Sequence, residues 1–400
     1  MEGSVIVSAR PTTHQAPPLI PKEASSLEMV VRGEATRFST PCYVFDPRIV
    51  IERYNMLRST VRTSLIVSLK ANPTADLFSR CFHAFVDGVE VASEAELSIV
   101  VGRSKMRKFV NNPSMDAAFM RSAVAAHATV IVDNLRHVEL LVAQTVRLKP
   151  TPVVLRLNAG IIREKRSPPP SDHFGMDLSD ALTAVERLGA AGIGIAGCHS
   201  FAGSYSFGQQ SAINARNMAE VVAVIEGRLG YRLTMINLGG GFAPTWEDKK
   251  EEVVKYAAAL DPLHATYTLF HESGRGIFAR AGAFATRVVA TKILDGQHIV
   301  ICDGGMAQNF LLSQTENTLR NLASPVMIAS DMDERKISTS PIRFVGSTCN
   351  KNDVIGHSPA GSILPRPGDI CFFENCGAYN ATYTVAKFLG SRPAQIYING

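Results

Sequence analysis

The sequence predicts an α/β protein, a (β/α)8 TIM barrel followed by a C-terminal β domain. Three observations predict it. Between Pro41 and about Phe278, short β-branched runs alternate with amphipathic stretches in units of roughly 30 residues, the pattern of a parallel sheet. The runs end in polar or glycine-rich residues, which favours a closed barrel over an open doubly wound sheet. Beyond Phe278 the β-runs follow one another without long helices between them.

In chain order, residues 1 to roughly 25 are proline-rich and aperiodic, as in a loose arm. L-E-M-V-V (Leu27–Val31) reads as a short strand, so residues 1–40 are expected to form an arm and a strand joining the β domain. Residues 41–278 are then the barrel and 279–400 the β domain. Barrel strands are expected at S-L-I-V-S-L, G-V-E-V-A, T-V-I-V-D, P-V-V-L-R-L, I-G-I-A-G-C-H and M-I-N-L-G-G-G. Apolar residues at helical spacing predict helices over Ser93–Val101, Asp116–His127, Leu135–Val146, Asp180–Ala191 and Ile213–Leu229. Between two such units, I-I-R-E-K-R-S-P-P-P-S-D-H-F-G (Ile161–Gly175) is basic and proline-rich and follows a strand. It is either a lid over the barrel mouth or a plain solvated loop. The β domain is read from T-R-V-V-A-T-K-I-L, H-I-V-I-C-D, P-V-M-I-A-S and D-I-C-F-F-E.

Composition narrows the function. A chain of 400 residues is longer than one core usually organises, and 46% hydrophobic with 19% charged residues is ordinary for a soluble protein. The excess of 41 basic over 36 acidic residues predicts neither nucleic-acid nor membrane-surface binding. Seven cysteines without a C-x-x-C pair argue against a disulfide framework. With no signal-like start and no apolar run approaching roughly 18 residues, a cytoplasmic protein is expected.

Three features carry chemistry. In S-L-K-A-N-P, Lys70 ends an apolar strand, where desolvation would lower its pKa and free an amine nucleophile; the alternative is a solvated strand-end lysine. The run L-G-G-G-F (Gly239, Gly240, Gly241) lets backbone N–H groups approach an anion, or is merely a tight turn. H-E-S-G-R supplies a carboxylate, Glu272, and a phosphate-matching guanidinium, Arg275. Amine, phosphate cradle and lone carboxylate together suggest pyridoxal 5'-phosphate, which needs a partner for its aldehyde, its phosphate and its ring nitrogen.

The sequence also resembles the fold-type III pyridoxal-phosphate decarboxylases, the group of ornithine, lysine, arginine and diaminopimelate decarboxylases. The resemblance rests on P-C-Y-V-F-D, S-L-K-A-N-P, V-E-V-A-S-E-A-E-L, H-F-G-M, H-S-F-A-G-S, L-G-G-G-F, H-E-S-G-R, C-D-G-G-M, G-S-T-C-N and G-A-Y-N, in that order. It implies a barrel of the alanine racemase-like type and a homodimer with shared active sites. It further implies that Lys70 binds the cofactor's aldehyde, that Glu90 and Glu96 lie near the ring, and that Glu272 pairs with the ring nitrogen. Ser204, Gly239, Gly240, Gly241, Arg275 and Tyr379 would hold the phosphate. Cys349, from across the dimer interface, would return a proton to the α-carbon after CO2 leaves. A thiol suits that task, being mostly protonated at neutral pH yet labile.

Two departures bear on substrate. Phe201 stands where many members have a ring-stacking histidine, and keeps the stacking surface without an N–H. Asn350, neutral, follows Cys349 where decarboxylases of basic amino acids place carboxylates. The stretch from Asp303 to Asn321 is similar to natural-product enzymes that act on carrier-protein-bound amino acids. The expected substrate therefore lacks a free distal ammonium, although Glu316 or Asp353 could still recruit a cation. Asn350 and His173 are the candidate substrate contacts. Free ornithine, lysine or diaminopimelate as substrate, racemisation, and an inactive regulatory homologue are the alternatives.

Overall fold

The computed structural model describes residues 26–34, 38–146, 148–162, 173–208, 210–313, 323–330 and 334–400. Eight parallel strands close a barrel: β2 (Ser64–Ser68), β3 (Val89–Val91), β4 (Lys108–Val110), β5 (Thr129–Val132), β6 (Val153–Arg156), β7 (Ile195–His199), β8 (Met235–Asn237) and β9 (Thr268–Ser273), with β9 pairing back to β2. The expected closed barrel is present. The five helices anticipated from spacing form as Glu94–Val100, Ala117–Ala125, Leu135–Gln144, Leu178–Ala190 and Ser211–Leu229. Ser93, Asp116, Asn134 and Asp177 cap four of them, each side chain accepting a backbone N–H of the first turn.

Alternation along each strand builds the barrel in two layers. Ile66, Phe109, Ile131, Val154, Met235 and Phe270 form one apolar cluster in the interior, whereas Leu65, Val67, Val110, Val132, Leu155 and Ile236 pack with the surrounding helices. Two residues beyond the interior plug, on the same face, stand Ser68, Asn111, Asp133, Arg156, Asn237 and Glu272, all buried. A dry plug thus floors a polar layer at the C-terminal mouth.

The remaining strands form a second sheet. Its order is β12 (Val326–Ile328), β15 (Ile370–Phe373), β10 (Gly282–Leu294), β11 (Gln297–Cys302), β13 (Ile342–Val345), β14 (Val354–Ser358). The chain's first strand, β1 (Cys42–Phe45), joins this sheet between β10 and the last strand, β16 (Gln395–Ile398). Two expectations change. Leu27–Val31 lies within a helix, Ser26–Glu34, instead of a strand: Leu27 and Val30 share one helical face against Phe38, Val44 and Phe372, and Arg32 pairs with Glu28 one turn back. The strand linking the N-terminal region to the β domain is Cys42–Phe45, inside the range expected for the barrel. Residues 1–25, and 163–172 of the proline-rich loop, lie outside the described residues. Among the described residues no helix is long and apolar enough to cross a membrane.

Alternation also splits the adjacent His271 and Glu272 of β9. Glu272 faces the mouth. His271 faces outward, its Nδ1 2.8 Å from Thr63 Oγ1 and its Nε2 2.9 Å from Tyr256 Oη. Burial pushes the imidazole's pKa down to about 3. An unfolded histidine titrates near about 6.5. Below that pH the unfolded chain takes up a proton that the folded chain refuses, so stability is full above it and falls as pH drops toward 3. Melting temperature measured against pH should decline through this window, and His271→Asn should flatten the decline while lowering the neutral-pH value.

Candidate active site at the barrel mouth

One cavity lies on the polar layer, lined by Ser68, Lys70, Asn111, Arg156, His199, Phe201, Ser204, Tyr205, Gly240, Gly241, Phe242, Glu272, Ser273, Gly274, Arg275 and Tyr379. Lys70 leaves β2 on a single 3-10 turn, Leu69–Ala71, and its side chain remains 41% exposed toward this space. Its Nζ donates to Glu90 Oε1 at 2.8 Å. Glu90 is fully buried on β3 and also accepts from Asn111 Nδ2 at 3.2 Å.

The expectation that desolvation lowers the Lys70 pKa is corrected here. Burial does pull it down, but the carboxylates of Glu90 and Glu272 outweigh burial, and the net shift is upward. The two carboxyls lie against each other, and their pKa values are pushed in opposite directions. Burial and the Glu272 charge push Glu90 up, so a proton sits there first. Burial would raise Glu272 too, but His199, Glu90 and Lys70 hold it below the usual carboxylate range. Asn237 Nδ2 donates to Glu272 Oε1 at 2.7 Å, and His199 Nε2 lies 3.3 Å from the same oxygen. Glu272 is therefore a carboxylate held ionised in a buried site.

The opposite wall is built for an anion. A Cβ on Gly240 would stand 2.5 Å from the Glu272 carbonyl oxygen, and one on Gly241, whose φ is +99°, 2.6 Å from Ser206 Oγ. Only glycine brings the backbone this close. The Arg275 guanidinium makes no hydrogen bond or ion pair among the described residues; it faces the rings of Tyr379 at 4.7 Å and Tyr205 at 5.1 Å. Phe201 lines the same cavity, and Ser204 stands beside the glycine run. Arg156 holds the floor through Asp133 and Asn111, with Phe174 over its guanidinium at 4.4 Å.

Several expected residues stand elsewhere. Glu96 is outside the cavity lining: its carboxylate accepts from Ala92 N and Ser93 Oγ while Ser93 Oγ accepts from Glu96 N, a capping box that starts the helix Glu94–Val100. Cys349 is exposed and does not line the cavity, and His173 is exposed against Phe174. Asp353 is buried and spent on its own loop, accepting from Met306 N, Thr348 N and Thr348 Oγ1. Glu316 lies outside the described residues. Sequence reasoning missed Ser68, Asn111, Asp133, Arg156, Asn237 and Tyr205. All but Tyr205 are strand-end residues, and the signal was a polar side chain two places after an interior apolar one.

The lining fits pyridoxal phosphate. Both nitrogens of buried His199 and the hydroxyl of buried Ser273 lack an aligned hydrogen-bond partner. Arg275 lacks an anion, and Lys70 faces a space between ionisable partners. A barrel whose mouth sets an amine, an ionised carboxylate and an anion cradle around one cavity is a pyridoxal-phosphate enzyme. The chain belongs to the pyridoxal-dependent decarboxylases: the family model "Pyridoxal-dependent decarboxylase, pyridoxal binding domain" matches residues 49–285. It is a pyridoxal-phosphate-dependent decarboxylase, a carbon–carbon lyase of amino-acid metabolism. It is 28% identical to L-glutamyl-[BtrI acyl-carrier protein] decarboxylase of Niallia circulans, over 88% of this chain and 87% of that protein. It is also 28% identical to diaminopimelate decarboxylase of Deinococcus radiodurans, over 92% and 93%. The fold matches lysine/ornithine decarboxylase of Vibrio vulnificus in complex with putrescine, with a TM-score of 0.76 at 20% identity, covering 94% of this chain and 99% of that one.

Reconstitution with pyridoxal phosphate should give a visible absorbance band, and borohydride should fix the cofactor to Lys70, seen as a mass shift on the peptide that contains it. Lys70→Ala should lose both. Glu272→Ala should keep the band yet lower kcat/KM by roughly 100-fold or more.

Proposed function

We propose that the enzyme removes the α-carboxylate of an amino acid that carries no free distal ammonium, an acylated, conjugated or carrier-protein-bound amino acid, and that it works as a homodimer. The observation that carries this reading is the state of the loop after Cys349. Its one acid, Asp353, is consumed internally. Asn350 Oδ1 accepts from Asn352 N at 2.9 Å, which leaves the amide's NH2 as its uncommitted group, and Lys351 beside it is exposed. Such a loop offers donors and positive charge, which suit a carbonyl or carboxylate and repel an ammonium.

The chain's own residues then divide the work. Bound pyridoxal phosphate supplies an electron sink for the pair that CO2 leaves behind. In this reading Lys70 would hold its aldehyde, Ser204, the glycine run, Arg275 and Tyr379 would hold its phosphate, and Phe201 would offer its ring for stacking. Glu272, held ionised, would face the ring nitrogen and favour its protonated form, and Glu90, whose pKa is raised, would accept from Lys70 beside it. Cys349, brought by a second copy of the chain, gives its thiol proton to the α-carbon. The exposure of Cys349 and its separation from the cavity lining support the dimer.

A second reading, free diaminopimelate as substrate, is favoured by the Deinococcus relative at equal identity. A mass-spectrometric screen of free amino acids, acyl amino acids and carrier-protein thioesters separates the two. Turnover concentrated on the acyl or tethered substrates is expected; efficient CO2 release from ornithine, lysine or diaminopimelate would overturn the proposal. Cys349→Ala should bind cofactor normally and lose roughly 100-fold or more in amine release. Mixing it with Lys70→Ala should restore activity that neither variant has alone, because one site of the mixed dimer then holds both groups.

A further inference from the structure

The two rings that face Arg275 share an unusual backbone. Tyr379 has φ +69° and Tyr205 has φ +58°, the left-handed region that bulky side chains avoid. Tyr379 is tied down, its backbone N–H donating to Ala71 O at 2.6 Å and its side chain mostly buried. Tyr205 is different. It is 57% exposed, on the cavity's outer rim, with its ring 5.1 Å from the Arg275 guanidinium carbon. An exposed aromatic residue held in a strained conformation calls for a compensating role, and strain of this kind collects at ligand clamps.

Geometry supplies the role. Arg275 has no carboxylate partner among the described residues, and both aromatic neighbours meet it through their rings, which engage a guanidinium without accepting its N–H groups. The N–H fork stays available for phosphate oxygens. From these contacts we infer that Tyr205 is a cofactor-retaining residue: with Tyr379 it forms an aromatic clamp that fixes Arg275 toward the phosphate, and it covers the rim through which that phosphate would leave. Its part is to position Arg275 and slow release. It takes no part in the bond-making steps.

The test uses the full-length holoenzyme and measures pyridoxal phosphate release, as decay of the visible band when a scavenger traps free cofactor. Tyr205→Phe keeps the ring and should release within about twofold of wild type. Tyr205→Gly removes the ring and tolerates the backbone conformation, so apo-protein melting should stay level or rise while release quickens about tenfold. Should Tyr205→Gly melt several degrees early, the comparison passes to Tyr205→Asn, which also tolerates this backbone region. Faster release from the ringless variant, with Phe near wild type, supports the clamp. Unchanged release would overturn it, as would unchanged release accompanied by a raised substrate KM, which would make Tyr205 a substrate wall.

Discussion

The site depends on two carboxylates buried against one lysine. A lone ionised carboxylate in a protein interior is strongly unfavourable, and two side by side are worse. Glu90 and Glu272 coexist because their pKa values are driven apart, Glu90 up and Glu272 down, and because neighbouring groups compensate them: Lys70 and Asn111 at Glu90, Asn237 and His199 at Glu272. Removing any of these leaves charge uncompensated, so the constellation is set as a unit. Its internal asymmetry also assigns the work, since the member held ionised, Glu272, is the one suited to face a protonated ring nitrogen.

The barrel makes that arrangement possible. Six of the polar-layer residues follow an apolar interior residue by two positions, so the strand period carries them onto the same face one layer higher. Phe270 is followed by Glu272, Val154 by Arg156 and Phe109 by Asn111. Water is kept from below by the plug and admitted only from the mouth. The neighbouring positions, His271 and Leu155 among them, belong to the helix layer and have no access to the site. A one-residue change of register in β9 would exchange His271 for Glu272 and take the ionised carboxylate out of the cavity.

Much of this was legible in the sequence, for physical reasons that differ by residue. The barrel was readable because its strands and helices differ in hydrophobic period. Lys70, Glu272, Arg275 and the glycine run were readable because amine, carboxylate, fork and bare backbone are the groups one cofactor needs. The strands β4 and β9 were not named: the first follows the basic stretch R-S-K-M-R-K and shows only Phe109 and Val110 as apolar residues, and the second ends in H-E-S, whose polarity obscures the strand. Arg156 and Asn111 look like ordinary surface residues until closure of the barrel turns them inward. The protonation of Lys70 was misjudged because burial was weighed without the charges that only the closed barrel brings near. Leu27–Val31 misled for a related reason: Leu27 and Val30, apolar residues at i and i+3, pack one helical face against the second sheet.

The loop at Cys349 separates the presence of an acid from its availability. Asp353 stands four residues from the thiol, close enough in sequence to be taken for an anchor for a distal ammonium. Its carboxylate is instead enclosed by Gly305 and Gly346, where any Cβ would collide with it, and saturated by the backbone of Met306 and Thr348. To reach a substrate it would have to leave three hydrogen bonds unmade, each costly when buried. That makes Asp353 the residue that shapes the turn on which Cys349 and Asn350 sit. Under the proposed function, an ammonium arriving at this loop would meet donors and a cation in place of a counter-charge, because Asp353 is committed to structure.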